Sequence, residues 1–390
     1  MSHRWLILAV LFLARMTMAF QFQSIASISP LIVSGYDVSF GDIGFLIGLY
    51  LAPGVLVAIP GGAIALRFGE KRIVALGIVL MLTGGVLTAL VPNWEAMVAG
   101  RLLAGVGGVI LNVVMTKMVV DWFAGREIAT AMAIFINSWP VGIALALLLL
   151  PALAVSGGLP AAWWAVNLII VIGLLAFVFL YRAPSVQATA SGRIQFGKLP
   201  VYPLVLAGLI WAFYNTALAM VFSFSPALLN EMGWTLEGAG SITSTFMIVF
   251  SIAVPFGGML ADRTGRTGAI ILIGLISFAV LMPVLSQVSA VGVTVIFILV
   301  GALFALAAGP IMSLPSEVLT PEARTFGMGV FFTIYYVVMM VAPRIAGSLV
   351  DWTGQTGWAI IFGAMMSVAS IICLVLFNAA RPKHGVVGAD

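Results

Sequence analysis

Twelve stretches of about 20 or more predominantly apolar residues follow one another through this chain, with short polar gaps between them. They run 5–33, 41–66, 72–92, 95–120, 128–156, 160–181, 201–230, 237–261, 268–288, 291–316, 323–350 and 356–379. The hydrocarbon core of a bilayer is about 30 Å thick and takes about 20 residues of helix. No water inside it can bond an open backbone, so such stretches fold as helices that satisfy their own peptide groups. The chain is 63% hydrophobic and 8% charged, which excludes a soluble globular core. The fold class expected is all-α integral membrane, with twelve transmembrane helices. The opening stretch is too long for a signal-peptide core and has no persuasive cleavage site, so it is expected to stay as the first span.

The cations set a topology. Thirteen of the seventeen Lys/Arg residues fall in alternate gaps: Arg4 before the first span, then Arg67, Lys71 and Arg72, Arg126, the 182–198 group, Arg263 and Arg266, Arg324, and finally Arg381 and Lys383. The intervening gaps carry acids alone: Asp37, Asp42, Glu95, Glu231, Glu237 and Asp351. Basic residues stay on the cytoplasmic side, so both termini are expected there, in a bacterial inner membrane. The net charge of +4 reflects these loops and implies no nucleic-acid partner. A single cysteine, Cys373, leaves no disulfide framework.

At an offset of 196 residues the chain matches itself. Gly62, Ala65, Arg67 and Gly69 align with Gly258, Ala261, Arg263 and Gly265, Asp121 with Glu317, and Met132 with Met328. The expected layout is two pseudo-symmetric six-helix bundles, 1–182 and 201–390, joined by a polar cytoplasmic linker at 183–200. Parallel repeats of this kind place a site at the midplane between them.

The segment Gly258-Met-Leu-Ala-Asp262-Arg263-Thr-Gly265-Arg266 resembles the loop signature between the eighth and ninth helices of the major facilitator superfamily. Its first-half copy, Gly62 to Arg72, keeps the glycines and cations but has Leu66 where the acid normally stands. Arg101-Leu-Leu-Ala-Gly105-Val-Gly107-Gly108 is similar to the family's fourth-helix motif. The resemblance spans the whole chain and implies a transporter working by rocker-switch alternating access. It also implies gating or conformational roles for Gly62, Arg67, Gly69, Arg101, Gly258, Asp262, Arg263, Gly265 and Arg266. Physically, Gly258 is expected to allow close helix packing, Gly265 a tight turn, and Asp262 an acceptor for arginines or a helix N-terminus.

Four cations, Arg15, Arg101, Lys117 and Arg344, lie inside apolar stretches, and the sequence sets no carboxylate beside them there. A charge at the bilayer centre costs roughly 2.5–3.5 kcal/mol and tends to face a cavity or a partner. Buried cations without buried acids point to a bound anion. Arg15 sits near mid-depth in the first span, with Phe22 on its face and Gln23 at the edge. Its counterpart at the repeat offset is Trp211, which shares a stripe with Tyr214 and Asn215. Asn137 lies in the fifth span; Tyr335 and Tyr336 lie in the eleventh, on the same broad stretch as Arg344. Together Arg15, Phe22, Gln23, Asn137, Trp211, Tyr214, Asn215, Tyr335, Tyr336 and Arg344 form the candidate substrate site. A guanidinium facing an aromatic and amide wall suits a small planar anion. Lys117, near a cytoplasmic end, is expected to snorkel.

Absences narrow the chemistry. The chain has no nucleophile–base pair, metal-ligand cluster or phosphate-cradling loop, so neither an enzyme nor a cofactor is expected. Both histidines, His3 and His384, are terminal and no acid lies deep in a span. Uniport, anion exchange, or symport with the proton on the substrate is therefore favoured over a carboxylate relay. The leading expectation is a monomeric carrier of a small carboxylate or inorganic anion, broadly similar to cyanate-permease-type facilitators. The alternative is an organic cation or amphipathic drug in an aromatic cage, which Arg15 and Arg344 oppose by repulsion.

Overall fold

The computed structural model describes residues 3–57, 69–123, 127–183, 200–320 and 323–380, without the side chains of His3, Ala129, Arg324 and Thr325. Gly62, Leu66, Arg67 and nearly all of the 183–200 linker lie outside them. Among the described residues every regular element is helical, and eleven helices are long and apolar enough to cross a membrane. The longest, Ile128–Leu180, contains Gly158 at φ 72°, a left-handed conformation that glycine adopts without steric cost. The chain folds back there. Gly142, before the turn, packs on Met16, while Gly173, after it, packs on the neighbouring Thr17. Two spans result, 128–157 and 159–180, which makes twelve.

In order, the other spans are His3–Ser27 (first), Phe40–Val57 (second), Glu70–Leu90, Trp94–Phe123, Val201–Glu231 (seventh), Leu236–Thr264, Thr267–Gln287, Ala290–Val318, Arg324–Thr353 (eleventh) and Gly357–Ala380. A short helix, Ser29–Tyr36, follows the first. Local chemistry sets several boundaries. Ser39 and Asp42 form a reciprocal capping box that starts the second span, satisfying two otherwise orphaned N–H groups. Gly265 and Gly354, at φ 64° and 69°, end the eighth and eleventh.

Small residues bring the helices together, since lipid offers no hydrophobic drive for association. In the third and fourth spans, a Cβ on Gly77 would lie 2.7 Å from Gly107 O, and one on Gly84 2.3 Å from Gly100 O. The second and eleventh spans meet in the same way through Gly41, Gly44, Gly48 and Gly347. Polar side chains add ties: Ser244 Oγ donates to Ala144 O, Ser367 Oγ to Leu275 O and Ser370 Oγ to Ile210 O.

The first six spans meet the last six along three seams: second on eleventh, fifth on eighth, and first on seventh. These seams are tightest toward the ends that carry the acidic gaps, hereafter the acidic face. There Asp351 accepts from Phe40 N (2.8 Å) and Gly41 N (2.7 Å) at the start of the second span. A carboxylate at a helix N-terminus is doubly favourable, through charge-assisted bonds and the helix dipole. Arg344 pairs with Asp42 at 2.9 Å.

Candidate substrate-binding cavity

At mid-depth, between the first six and the last six spans, lies a cavity of about 180 Å³. It is smaller than the roughly 300–1,000 Å³ typical of drug-sized pockets. Arg15, Asn137, Trp211, Tyr214, Asn215, Tyr335 and Tyr336 line it, together with Asn112, Trp139, Phe250 and Phe332. The helical spacing of the first, seventh and eleventh spans does converge on one space.

Arg15 is held by a break in the fifth span. Pro140 has no N–H, so the carbonyl of Ile136, four residues back, loses its helical donor. Arg15 Nη1 supplies the missing bond at 2.9 Å and also reaches Phe135 O (3.1 Å) and Ser138 Oγ (3.2 Å). Its Nε donates to Asn112 Oδ1 at 2.7 Å. The guanidinium stands 5.0 Å from the Phe135 ring centroid and 5.9 Å from that of Trp139. Among the described residues Nη2 makes no hydrogen bond, and no carboxylate pairs with Arg15. A fixed cation therefore faces the cavity with donors to spare.

The opposite wall is aromatic. Trp211 stacks on Tyr214 at 5.8 Å and lies 6.4 Å from Tyr335. Tyr214 Oη donates to Phe304 O (3.0 Å), and Asn215 Nδ2 donates to Trp211 O (2.8 Å). Asn137 Oδ1 accepts from Ser251 Oγ at 3.0 Å, which ties the fifth span to the eighth beside the cavity.

Three expected site residues lie elsewhere. Phe22 is packed among Tyr50, Trp139 and Phe222, one step toward the acidic face. Gln23 is fully buried, and its Nε2 donates to Phe222 O at 2.6 Å. That carbonyl is free because Pro226, four residues on, has no N–H. Arg344 sits at the acidic end, half exposed against Asp42, and does not line the cavity. Lys117 also has carboxylate partners, Glu70 and Asp121, each at 2.5 Å. Among the described residues, the expectation that all four intramembrane cations lack acids thus holds only for Arg15 and Arg101.

Arg101 differs from Arg15 in that each of its three nitrogens has a partner. Its three nitrogens donate to Leu46 O (3.4 Å), Gln21 O (2.8 Å) and Phe22 O (2.8 Å), and its guanidinium lies 4.8 Å from the Tyr50 ring. It stitches the fourth span to the first and second. Among the other expected gating residues, Gly69 has φ 86° and Gly265 φ 64°. Gly258 is not the packing glycine: a Cβ there meets open space, whereas one on Gly257 would lie 2.1 Å from Leu306 O. Asp262, Arg263 and Arg266 are exposed and form no ion pair among the described residues.

Sequence reasoning missed Asn112. The signal was a lone carboxamide in an apolar fourth span, but nothing local assigns its partner, which lies 97 positions away.

A family model described as Major Facilitator Superfamily matches residues 11–343 and 205–389. The chain belongs to the Major Facilitator Superfamily. This superfamily member is 23% identical to the hexuronate transporter of Bacillus subtilis (strain 168), over 97% of this chain and 95% of that protein. It is 25% identical to the citrate-proton symporter of Salmonella typhi, over 85% and 83%. Among solved structures it is similar to a bacterial homolog of the human lysosomal transporter Spinster, in an inward-facing and occupied conformation. The TM-score there is 0.76 at 17% identity, covering 98% of this chain and 96% of that one. The protein is an integral membrane transporter of this superfamily.

Proposed function

We propose that this transporter carries a small carboxylate, with Arg15 as its principal ligand, by alternating access between two six-span bundles, 1–182 and 201–390. The observation that supports it most is the Arg15 guanidinium, fixed by four hydrogen bonds, unpaired with any described carboxylate and left with free donors at the cavity wall. A carboxylate can accept from the open Nη2 and is attracted by the guanidinium's fixed charge. The Trp211, Tyr335 and Tyr336 rings would cover its carbon skeleton, and Asn137 and Asn215 offer partners for hydroxyl groups. The hexuronate and citrate carriers among the relatives agree with this class. The Arg/Lys distribution supports cytoplasmic termini and a bacterial inner membrane, with the acidic face outward. The aromatic wall alone would also suit an organic cation, but Arg15 repels one.

A thermal-shift screen of glucuronate, citrate, tartrate and cyanate against organic cations on the purified protein tests the reading. The expected result is stabilisation by a carboxylate, lost in Arg15→Gln. One charge-assisted bond contributes about 1.5–3 kcal/mol, so affinity falls by roughly 10- to 100-fold. Stabilisation by cations alone, or wild-type affinity in Arg15→Gln, would refute it.

A further inference from the structure

Between the cavity and the acidic face, the first and seventh spans and the short helix after the first carry buried polar atoms that no described residue satisfies. Gln23 Oε1 and the hydroxyls of Ser27, Ser29, Ser223 and Ser225 are all buried without a hydrogen-bond partner, each residue 0–1% exposed. Many other buried hydroxyls return to their own helix, as Thr216 does to Ala212 O and Ser24 to Gln21 O, or cross to a neighbour, as Ser244 does to Ala144 O; these four do neither among the described residues. Each such orphan costs about 1–3 kcal/mol, and a native structure that carries several calls for a reason.

The sequence around them is duplicated. Ser27-Ile-Ser29-Pro30 recurs as Ser223-Phe-Ser225-Pro226, at the same 196-residue offset that relates the two halves. Ser27 and Ser223 therefore stand at equivalent positions on the first and seventh spans, while Ser29 opens the short helix that follows the first span and Ser225 lies two residues further along the seventh. The charge nearby is positive: Arg101 donates to the carbonyls of Gln21 and Phe22, next to Gln23.

We propose that these residues form a second binding station for the carboxylate substrate, occupied when the acidic face opens. Parting the first and seventh spans breaks the Gln23–Phe222 bond and frees an amide donor one helical turn from Ser27, at the level of Ser223 on the seventh span. Hydroxyl and amide N–H groups close to a guanidinium bind a carboxylate, and Gln23 Oε1 accepts from a substrate hydroxyl. A sodium ion could use the same oxygens, but Arg101 disfavours it. The station lies on the path between the acidic face and Arg15, and so receives the substrate first from that side. This inference rests on the carboxylate reading above.

The test uses Ser27→Cys and Ser223→Cys in a Cys373→Ser background, which removes the chain's single cysteine. Proteoliposomes are treated from the acidic face with a membrane-impermeant thiol reagent, with and without glucuronate or citrate. Both cysteines are expected to react, and the anion at twice its Kd to slow labelling by about threefold. Protection is expected to persist in Arg15→Gln, where the central site no longer binds. Ser29→Cys and Ser225→Cys replace any variant that does not fold. The station is overturned if neither position reacts while a cysteine at Trp352 does, if protection vanishes with Arg15→Gln, or if sodium protects and the anion does not. Lack of protection by an anion that stabilises the wild-type protein refutes the station alone. If no anion stabilises the wild-type protein, both readings fall.

Discussion

Replacing Gly44 with alanine is expected to part the second and eleventh spans and open the acidic face. A Cβ at Gly44 would stand 1.9 Å from Pro343 O and 2.5 Å from Pro343 C. Both are main-chain atoms, so no side-chain rotation relieves the clash. Ordinary contact begins at 3.4 Å, so the carbonyl must retreat by about 1.5 Å. The same movement would stretch the bonds of Asp351 to Phe40 N and Gly41 N, now 2.8 and 2.7 Å, beyond hydrogen-bonding range. Two charge-assisted bonds contribute about 1.5–3 kcal/mol each when shielded. Asp351 is exposed, so about 2 kcal/mol in total is a reasonable discount. The half-exposed Arg344–Asp42 pair adds little. A loss of about 2 kcal/mol moves the equilibrium roughly 30-fold toward an open acidic face. Spin labels at Ser34→Cys and Trp352→Cys, in the Cys373→Ser background, report the separation of the halves by double electron–electron resonance. A folded Gly44→Ala protein with the wild-type distance distribution would refute the argument.

Asp351→Asn leaves the packing intact and removes the charge from the helix terminus; the same labels are expected to show a shift in the same direction, smaller than that of Gly44→Ala. Lys117→Met strands Glu70 and Asp121 beside each other with no cation, at a cost of about 2 kcal/mol after discounting for partial exposure. The apparent Tm falls, and adding Glu70→Gln recovers part of it. Arg15→Gln also orphans the Ile136 carbonyl, and Pro140→Ala restores a donor to it. The double variant is expected to regain about 1 kcal/mol of stability without regaining anion binding, as read by denaturation and thermal shift in parallel.

The spans were legible because every one is a long apolar run, and even the one-residue return at Gly158 falls in the gap left between 156 and 160. Much of the cavity was legible as well. Trp211, Tyr214 and Asn215 share a helical face, and the repeat offset set them opposite Arg15. Depth was harder to read. Phe22 lies on the Arg15 face but seven residues on, about 10 Å along the axis, and so packs outside the cavity. Pairings between distant positions were not legible. Nothing near Arg344 in the sequence announces Asp42, 302 positions away, and Asn112 carries no local sign of its tie to Arg15. Gly257 and Gly258 differ by one residue, and only the neighbouring Leu306 carbonyl decides which of them must be small.

The return at Gly158 has a mechanical corollary. With a single residue at the bend and no slack, the arms on either side act as one stiff lever. Both arms clasp the first helix at Met16 and Thr17, next to Arg15. Any swing that relocates the carbonyl of Ile136 must therefore drag that clasp, and the guanidinium with it, so the contact proposed for the substrate travels with the moving part instead of waiting on a stationary one.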